Sequence, residues 1–170
     1  MRITYNLNCI RQPMTGVAYY TLNMVAHMLQ HYPELDIVGF RNNTLLSTEQ
    51  TLDFFSTLQK TSSLEALWKK KLIEYANKSY FARSLIQSKQ KLTHHLTLAK
   101  QLKNSIYHEP NFVFLPHTGP RVLTVHDTSM FDCPEFLPKG RAKFLQKQMQ
   151  RSIQIADALI VSCDFIKSQV

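Results

Sequence analysis

A histidine and a carboxylate stand side by side in this sequence, where an apolar run gives way to a predicted loop. The run Val122–Val125 is followed by His126 and Asp127. Because the ordinary pKa of histidine lies near neutrality, His126 can polarise or deprotonate a substrate hydroxyl, and Asp127 can hold a hydroxyl or orient a loop. A structural histidine bonded to the backbone, beside an aspartate that caps a turn, explains the pair equally well from position alone.

A second candidate is Thr15-Gly16, between the first predicted strand and the first predicted helix. A glycine at a helix N-terminus lets a ligand approach free N–H groups, where the helix dipole favours an anion. Gly16 can also be a plain turn residue, and one glycine alone favours that interpretation. The sequence has no Gly-x-Gly-x-x-Gly and no Walker A motif, which argues against nicotinamide-dependent and P-loop enzymes. No His, Cys, Asp and Glu grouping has metal-site spacing, so no metal is predicted.

These residues need a parallel sheet to position them, because ligands bind outside the carboxyl ends of strands in open α/β sheets. Apolar periodicity predicts strands at Arg2–Leu7, Asp36–Phe40, Ser105–Tyr107, Arg121–Val125 and Ala158–Val161. It predicts helices from Gly16 to about His31, from Thr48 to about Leu58, over Lys139–Ile155 and from Cys163. The order β–loop–α–β at the start of the chain therefore predicts an α/β fold with a Rossmann-like parallel sheet flanked by helices.

Local signals refine these elements. Ser47 and Gln50 fit a capping box at the start of the second helix, and Ser162 is the predicted N-cap of the last helix. Thr128–Pro138 is predicted to be a loop. In the first predicted helix, apolar and aromatic residues recur at three- to four-residue spacing, at Val17, Tyr20, Met24 and Met28.

The positive charge of the chain is confined to one region. The net charge is +8, and residues 60–103 hold 10 Lys or Arg against 2 acids, while the rest of the chain sums to zero. This region, about residues 60–104, is predicted to be a helical basic insertion. One interpretation of the insertion is a basic face exposed to solvent. The other is a binding site for anionic lipid, in which the membrane is contacted by Trp68, Lys69, Lys70 and Lys71. No recognised RNA or DNA motif accompanies the charge, so no nucleic-acid partner is predicted.

The remaining bulk features are those of one globular domain of 170 residues. No apolar run approaches the roughly 18 residues that a membrane span needs. The N-terminus is too polar for a signal peptide, so the default location is the cytoplasm.

Four segments carry a resemblance to a known family: Thr15–Tyr20, Tyr107–Phe112, Val122–Phe136 and Ala156–Ser162. In order and spacing they resemble the N-terminal half of glycosyltransferase family 4 enzymes of the GT-B fold, especially bacterial mannosyl- or rhamnosyltransferase-like members. The third segment is the most specific, being similar to Val-x-Thr-Val-His-Asp-x-Ser-x-Phe…Pro-Glu-Phe. Ala18 and Tyr19 stand where the family has glycine and arginine.

The resemblance implies roles for individual residues. Thr15, Gly16 and Tyr20 belong to the family's glycine loop near the donor diphosphate and the acceptor. His126 faces the transferred sugar, with Asp127 beside it, and both are the catalytic candidates. His108, Glu109 and Asn111 line the acceptor side. Transfer is retaining and independent of metal, so no cofactor is implied beyond the nucleotide-diphosphate sugar that serves as donor.

The function that the resemblance implies is the acceptor-binding domain of a glycosyltransferase. Such an enzyme moves a sugar from a nucleotide-sugar donor to a glycan or lipid-linked acceptor in polysaccharide or lipopolysaccharide assembly. The family's donor-binding segments have no match here, so we expect residues 1–170 to form one N-terminal domain that lacks the C-terminal donor domain and is inactive alone. The location implied is cytoplasmic and peripheral, on the inner face of an anionic membrane. The alternative is a non-catalytic α/β module, either a truncated remnant or a subunit that a separate donor domain completes in trans.

Overall fold

The structure is a computed structural model that describes residues 1–60, 102, 104–115, 117–137 and 140–170. Its centre is a six-stranded sheet with the strand order β3-β2-β1-β4-β5-β6. The strands are β1 (Arg2–Asn6), β2 (Asp36–Arg41), β3 (Thr44–Leu46), β4 (Ser105–Glu109), β5 (Arg121–Val125) and β6 (Ala158–Val161). Neighbouring strands are parallel except β2 and β3, which form an antiparallel hairpin.

Helices connect the strands. They are α1 (Gly16–His31), α2 (Thr48–Lys60), α3 (Ser129–Asp132), α4 (Arg141–Ile155) and α5 (Asp164–Gln169), with a 3₁₀ turn at Pro134–Phe136 between α3 and α4. Among the described residues, no helix is both long enough and apolar enough to span a membrane. The basic insertion predicted at about residues 60–104 lies almost entirely outside the described residues.

Strand register places an apolar core on each face of the sheet. Ile3 pairs with Ile37 and with Ile106, so these side chains share one face, whereas Tyr107 pairs with Thr4 and faces the other way. The first core includes Val25 of α1 and Phe55 of α2 and comprises Ile3, Tyr5, Leu7, Ile10, Val25, Ile37 and Phe55. The second core joins β4 and β5 to α3, α4 and α5 and comprises Tyr107, Phe114, Leu123, Val125, Met130, Met149 and Ile166. Helices therefore flank both faces, which confirms the predicted Rossmann-like α/β class.

The capping box is confirmed in both directions. The Gln50 backbone N–H donates to Ser47 Oγ at 3.3 Å, and the Ser47 backbone N–H donates to Gln50 Oε1 at 2.9 Å. Each side chain thus satisfies one of the N–H groups that a helix start leaves without an intrahelical partner. The helix that follows packs on β2 so closely that a Cβ on Gly39 would lie 2.8 Å from Thr51 Oγ1 and 2.6 Å from Leu7 Cδ1.

Several sequence predictions were wrong in detail. The segment Thr128–Pro138 is not a plain loop, because it contains α3 and the 3₁₀ turn. In α1 the fully buried residues are Ala18, Thr21 and Val25, while Met24 and Met28 pack against the first core and Tyr20 is exposed. Thr21 is buried because its hydroxyl donates to the Val17 carbonyl at 2.8 Å and accepts from the Cys9 thiol at 3.3 Å.

Strand boundaries and the last cap also differ from the predictions. Strand β4 continues two residues beyond Tyr107, so His108 and Glu109 lie within the sheet. The Ser162 hydroxyl donates to the His126 carbonyl at 3.0 Å instead of capping a helix. Residue Cys163 occupies the N-cap position of α5 without a side-chain hydrogen bond.

Candidate functional site

The order of the strands reverses between β1 and β4. The chain passes from β1 to β2 on one side, and from β4 to β5 and β6 on the other. In open α/β sheets the crevice at such a reversal, outside the carboxyl ends of the strands, is where ligands bind. The carboxyl ends of β1 and β4 are Asn6 and Glu109, so these two residues lie where the topology places a ligand.

Glu109 is the centre of a hydrogen-bond network at this crevice. Its Oε2 accepts from Asn6 Nδ2 at 2.6 Å and from the Tyr107 hydroxyl at 3.0 Å, and its Oε1 accepts from the Asn111 backbone N–H at 3.0 Å. The side chain is buried, with 2% of its surface exposed. Burial raises the pKa of Glu109 to about 8, because it outweighs the three donors, which lower the pKa. The neutral carboxyl group therefore predominates near pH 7.

The network continues across β1 to the hairpin. Asn6 Oδ1 accepts from both the backbone N–H and the side-chain Nδ2 of Asn8, at 3.1 and 2.8 Å. Asn8 Oδ1 in turn accepts from the Asn42 backbone N–H at 2.9 Å. Asn42 and Asn43 both have positive φ, as the tight two-residue turn between β2 and β3 requires. A continuous chain of hydrogen bonds thus fixes the loop after β1 against the strands on either side.

A cleft of about 170 Å³ lies over this network. Its lining is mostly polar and comprises Asn6, Asn8, Cys9, Arg11, Phe40, Asn43, Glu109, Asn111, Val113 and Leu115. Glu109 and Asn111 were predicted from the sequence, and the other polar members were not. Asn8 and Arg11 lie in the loop after the first predicted strand, and that position is the sequence signal that marks them as candidates.

His126 follows the last residue of β5 and does not line the cleft. Its Nε2 donates to the Pro110 carbonyl at 3.0 Å, and because a carbonyl only accepts, this bond places the proton of the neutral ring on Nε2. Within the described part of the chain, no hydrogen bond engages Nδ1, which is left to accept a proton. The ring also contacts Tyr20 of α1 edge-on, with 4.8 Å between ring centroids.

The turn that holds the Pro110 carbonyl is strained. Phe112 has a φ of 51°, which is unfavourable for a bulky side chain, and the Val113 backbone N–H donates back to the Asn111 carbonyl at 2.6 Å. Together with the Glu109–Asn111 bond, this turn fixes both Pro110, which contacts His126, and Asn111, which lines the cleft. Adjacent residues of one turn therefore connect the two regions.

Asp127 has a local role in the structure. Its side chain is exposed, and its Oδ1 accepts from the backbone N–H of Ser129 at 3.0 Å and from the Ser129 hydroxyl at 2.5 Å. These contacts fix the turn that leads into α3. The interpretation of Asp127 as a turn-capping aspartate therefore has direct support, and its catalytic role stays a prediction.

The N-terminus of α1 faces open space beside His126. Thr15 is the N-cap, and its Oγ1 accepts from the Ala18 backbone N–H at 3.3 Å. Gly16 begins the helix without a left-handed φ, and a Cβ placed there would meet no atom within 4 Å. The backbone thus does not require glycine at this position. The Tyr20–His126 contact brings the start of α1 and the end of β5 to one place.

His108 lies inside the sheet. It is 4% exposed, its Nε2 is 2.8 Å from Thr124 Oγ1, and its ring centroid lies 4.9 Å from that of Tyr5. Burial, with a smaller contribution from the nearby His126, lowers the pKa of His108 to about 4. A neutral, buried imidazole supports the position of β5 beside β4, and a direct contact of His108 with an acceptor stays a prediction.

Of the predicted site residues, Tyr20 contacts His126, and Glu109 is bonded to the Asn111 backbone. Thr15 and Gly16 lie at the start of the helix that carries Tyr20. The membrane-contact candidates Trp68, Lys69, Lys70 and Lys71 lie outside the described residues. Within the described ranges, no three His, Cys, Asp or Glu side chains come close enough to hold a metal ion.

Comparison with known proteins gives one informative relative. The chain is 27% identical over 174 aligned residues to the O-antigen chain mannosyltransferase B of Escherichia coli. The match covers 100% of this chain and 43% of that protein, so the chain spans less than half the length of the relative. No family model and no solved structure matches the chain.

Proposed function

We propose that this chain is the acceptor-binding part of a glycosyltransferase of polysaccharide assembly, in which a sugar passes from a nucleotide-sugar donor to a glycan or lipid-linked acceptor. The observation that carries the proposal is the similarity to a mannosyltransferase along the entire chain. The finer assignments belong to the same proposal: family 4, a GT-B architecture with a separate donor domain, a hexose as the transferred sugar, and no activity of this chain alone.

The start of α1 supports the proposal through its electrostatics. Transfer of a sugar from a nucleoside diphosphate leaves a diphosphate whose negative charge must be stabilised. The first N–H groups of a helix and the positive end of its dipole favour such an anion. The open space over Gly16 leaves this helix end accessible to a ligand.

His126 supports the proposal through its hydrogen bonding. Its Nε2–H is held by the Pro110 carbonyl, so Nδ1 can accept a hydroxyl proton or, once protonated, donate to an oxygen. The edge-on contact with Tyr20 fixes the ring beside the start of α1. In the proposed mechanism His126 contacts a hydroxyl of the transferred sugar, and the α1 N-terminus binds the departing diphosphate.

The test uses the protein as its natural gene encodes it. Labelled GDP- and UDP-sugars are supplied with membranes that carry glycan and lipid-linked acceptors, and incorporation of label into glycan is measured. We expect one nucleotide sugar to support incorporation. His126→Ala should lower the rate by about 100-fold, the size of effect that a general acid or base contributes.

His31→Ala is the matched control, because His31 is an exposed histidine in α1, away from the site. It should transfer label at the wild-type rate, and the unfolding midpoints of both variants in urea should match the wild type. Incorporation that His126→Ala leaves unchanged would contradict the assigned role. Failure of every nucleotide sugar would favour the alternative, a non-catalytic module or a subunit completed in trans.

A further inference from the structure

The cleft over Asn6 and Glu109 is lined by side chains that can form hydrogen bonds with the hydroxyl groups of a ligand. Four of its lining side chains are asparagines: Asn6, Asn8, Asn43 and Asn111. Each amide can donate and accept, which suits a ligand whose hydroxyls do both. Asn6 and Asn8 are fixed in place by their hydrogen bonds to each other and to Glu109. At about 170 Å³ the cleft is smaller than the roughly 300–1,000 Å³ of drug-sized pockets, so it fits a single sugar unit.

The cleft also contains a positive charge that the described residues do not neutralise. Arg11 lines it, with Nε donating to the Asn8 carbonyl at 2.7 Å. In the part of the chain that the structure describes, the ion pairs join Arg2 to Asp36 and Arg121 to Asp157, and neither includes Arg11. The Nε contact orients a guanidinium whose remaining N–H groups can bind a phosphate or carboxylate with two parallel hydrogen bonds.

A second cation lies close to Arg11. Arg41 follows Phe40 of the cleft lining, and its guanidinium carbon lies 4.2 Å from the centre of the Phe54 ring. Its pKa is lowered by burial and by the charge of Arg11, which places the two guanidinium groups within electrostatic reach of each other. Two neighbouring cations without an ion-pair partner among the described residues attract an anion more strongly than either does alone.

Glu109 does not cancel this charge near neutral pH. It is the acidic member of the lining, but burial raises the pKa of its carboxyl group to about 8. The carboxyl group is also engaged by Asn6, Tyr107 and the Asn111 backbone and not by an arginine. The cleft is therefore positively charged at pH 7 while its other polar groups are neutral.

We propose that this cleft binds a sugar that carries a phosphate or a carboxylate, with the anionic group at Arg11 and the hydroxyls at the asparagines. The identification of this sugar as the acceptor rests on the proposed function, which it deepens by naming the chemical class of acceptor. The site is distinct from the His126 side, because neither His126 nor Gly16 is among the residues that line the cleft.

The test measures binding by NMR titration of the chain at low salt and pH 7, with four sugars in two matched pairs. Mannose 6-phosphate is compared with mannose, and glucuronate with glucose. We expect at least one anionic sugar to bind about ten-fold or more tightly than its neutral counterpart, and the pair that shows the difference identifies the anion. Inorganic phosphate, as a further probe, should bind more weakly than mannose 6-phosphate.

Arg11→Gln should remove the preference for the anionic sugar, while Arg151→Gln, which removes an exposed arginine of α4, should keep it. Equal affinity for anionic and neutral sugars overturns the proposal, as does a preference that survives in Arg11→Gln. Inorganic phosphate that binds as tightly as the sugar phosphate also overturns it, because the hydroxyls would then contribute nothing.

Asn43→Gly provides a second variant if Arg11→Gln does not fold, since glycine adopts the positive φ of 64° at this position without strain. It should weaken mannose 6-phosphate binding and leave inorganic phosphate unaffected, and unchanged sugar phosphate affinity overturns the proposal. These measurements do not depend on sugar transfer. If the protein transfers sugar but shows no preference for anionic sugars, only this inference is contradicted. If it shows the preference but transfers no sugar, only the proposed function is contradicted.

Discussion

At the scale of single residues, Glu109 and His108 show how neighbouring side chains in one strand acquire opposite electrostatic behaviour. They face opposite sides of the sheet, and burial acts on each by disfavouring its charged form. The pKa of Glu109 rises from 4.5 to about 8, and that of His108 falls from 6.5 to about 4. Both side chains are therefore predominantly neutral in the folded protein at pH 6.5.

These shifts give the stability of the protein a defined pH dependence. Between pH 4.5 and 8 the folded state keeps a proton on Glu109 that the unfolded state releases, so Glu109 lowers stability as pH rises. Between pH 6.5 and 4 the unfolded state protonates His108 while the folded state does not, so His108 lowers stability as pH falls. Of these two groups, only Glu109 contributes strongly to the pH dependence well above pH 6.5, where His108 is neutral in both states.

We predict that Glu109→Gln flattens the stability profile between pH 6.5 and 8. In the wild type, ionisation of Glu109 should lower the free energy of unfolding by about 2 kcal/mol over this range, and a glutamine has no proton to lose. Urea denaturation at pH 6.5, 7, 7.5 and 8 measures the effect. Glu135→Gln, at an exposed position, should follow the wild-type profile. Parallel profiles for the wild type and Glu109→Gln would contradict this prediction.

The position of a site residue could be predicted from the sequence only where neighbouring residues in the chain carry the signal for it. His126 and Asp127 stand at the end of an apolar run, and the structure places them at the end of β5 as predicted. The environment of Glu109 was not predictable, because Asn6 is 103 positions away along the chain. Arg11 and Asn8 lie in a segment that a one-dimensional pattern identifies only as a loop. Their shared cleft appears once β1, β2 and β4 are adjacent.

At the scale of elements, the first turn of α2 is stabilised by hydrogen bonds between residues within four positions of each other. The reciprocal Ser47–Gln50 bonds satisfy backbone groups that would otherwise be unpaired, and this is why the capping box could be predicted from sequence. Hairpin β2–β3 was missed, although Asn42-Asn43 is a turn signal, because β3 has three residues and little periodicity. The apolar spacing in α1 did not reveal the burial of Thr21, a polar residue whose hydroxyl is satisfied by Val17 and Cys9.

We predict that Ser47→Ala lowers the free energy of unfolding by about 1 kcal/mol, because alanine cannot accept from the Gln50 backbone N–H. The matched control is Ser56→Ala in the same helix, where the hydroxyl donates only to the Asp53 carbonyl at 2.8 Å. It should be neutral or slightly stabilising, since alanine is the better helix former. Equal destabilisation by the two changes, measured in urea, would show that the cap adds nothing.

A pair of glycine substitutions separates packing from ligand access. Gly39→Ala should destabilise the protein by roughly 1–3 kcal/mol, because its Cβ would overlap Leu7 and Thr51. Gly16→Ala should leave stability unchanged or raise it by up to about 1 kcal/mol, because its Cβ enters open space at a helix start. Thermal unfolding measures both.

If the proposed function holds, Gly16→Ala should nevertheless reduce sugar transfer, since its methyl group would lie where the donor approaches. A Gly16→Ala variant with full stability and full transfer would remove Gly16 from the site. A destabilised one would show that the helix start is more tightly packed than the structure indicates.

At the scale of the whole molecule, charge and polarity are divided between regions. The described carboxyl edge of the sheet holds the polar network, whereas the net charge of +8 derives from residues 60–103. The distribution of charged residues along the sequence was sufficient to locate the charge, and apolar periodicity was sufficient to predict the fold class. It could not predict the two cores or the cleft between β1 and β4, because these depend on register between distant strands.

We predict that the basic region binds anionic membranes, as an extension of the proposed function. The chain should co-sediment with phosphatidylserine-containing vesicles and not with neutral ones, and Lys69/Lys70/Lys71→Glu should reduce binding strongly. Lys143/Lys147/Lys167→Glu makes the same charge change at exposed lysines of α4 and α5 and should have a much smaller effect. Equal losses in the two triple variants would indicate a response to net charge without a localised contact.

The bond between Asn6 and Glu109 has a consequence for the time course of folding. Helix α2 and hairpin β2–β3 close over short chain distances, but β1 and β4 pair across 103 positions, which is slow because the entropy of closing so long a loop opposes it. During refolding, helical content should therefore return before ligand recognition does. The chain acquires its recognition chemistry in the step that joins β1 to β4.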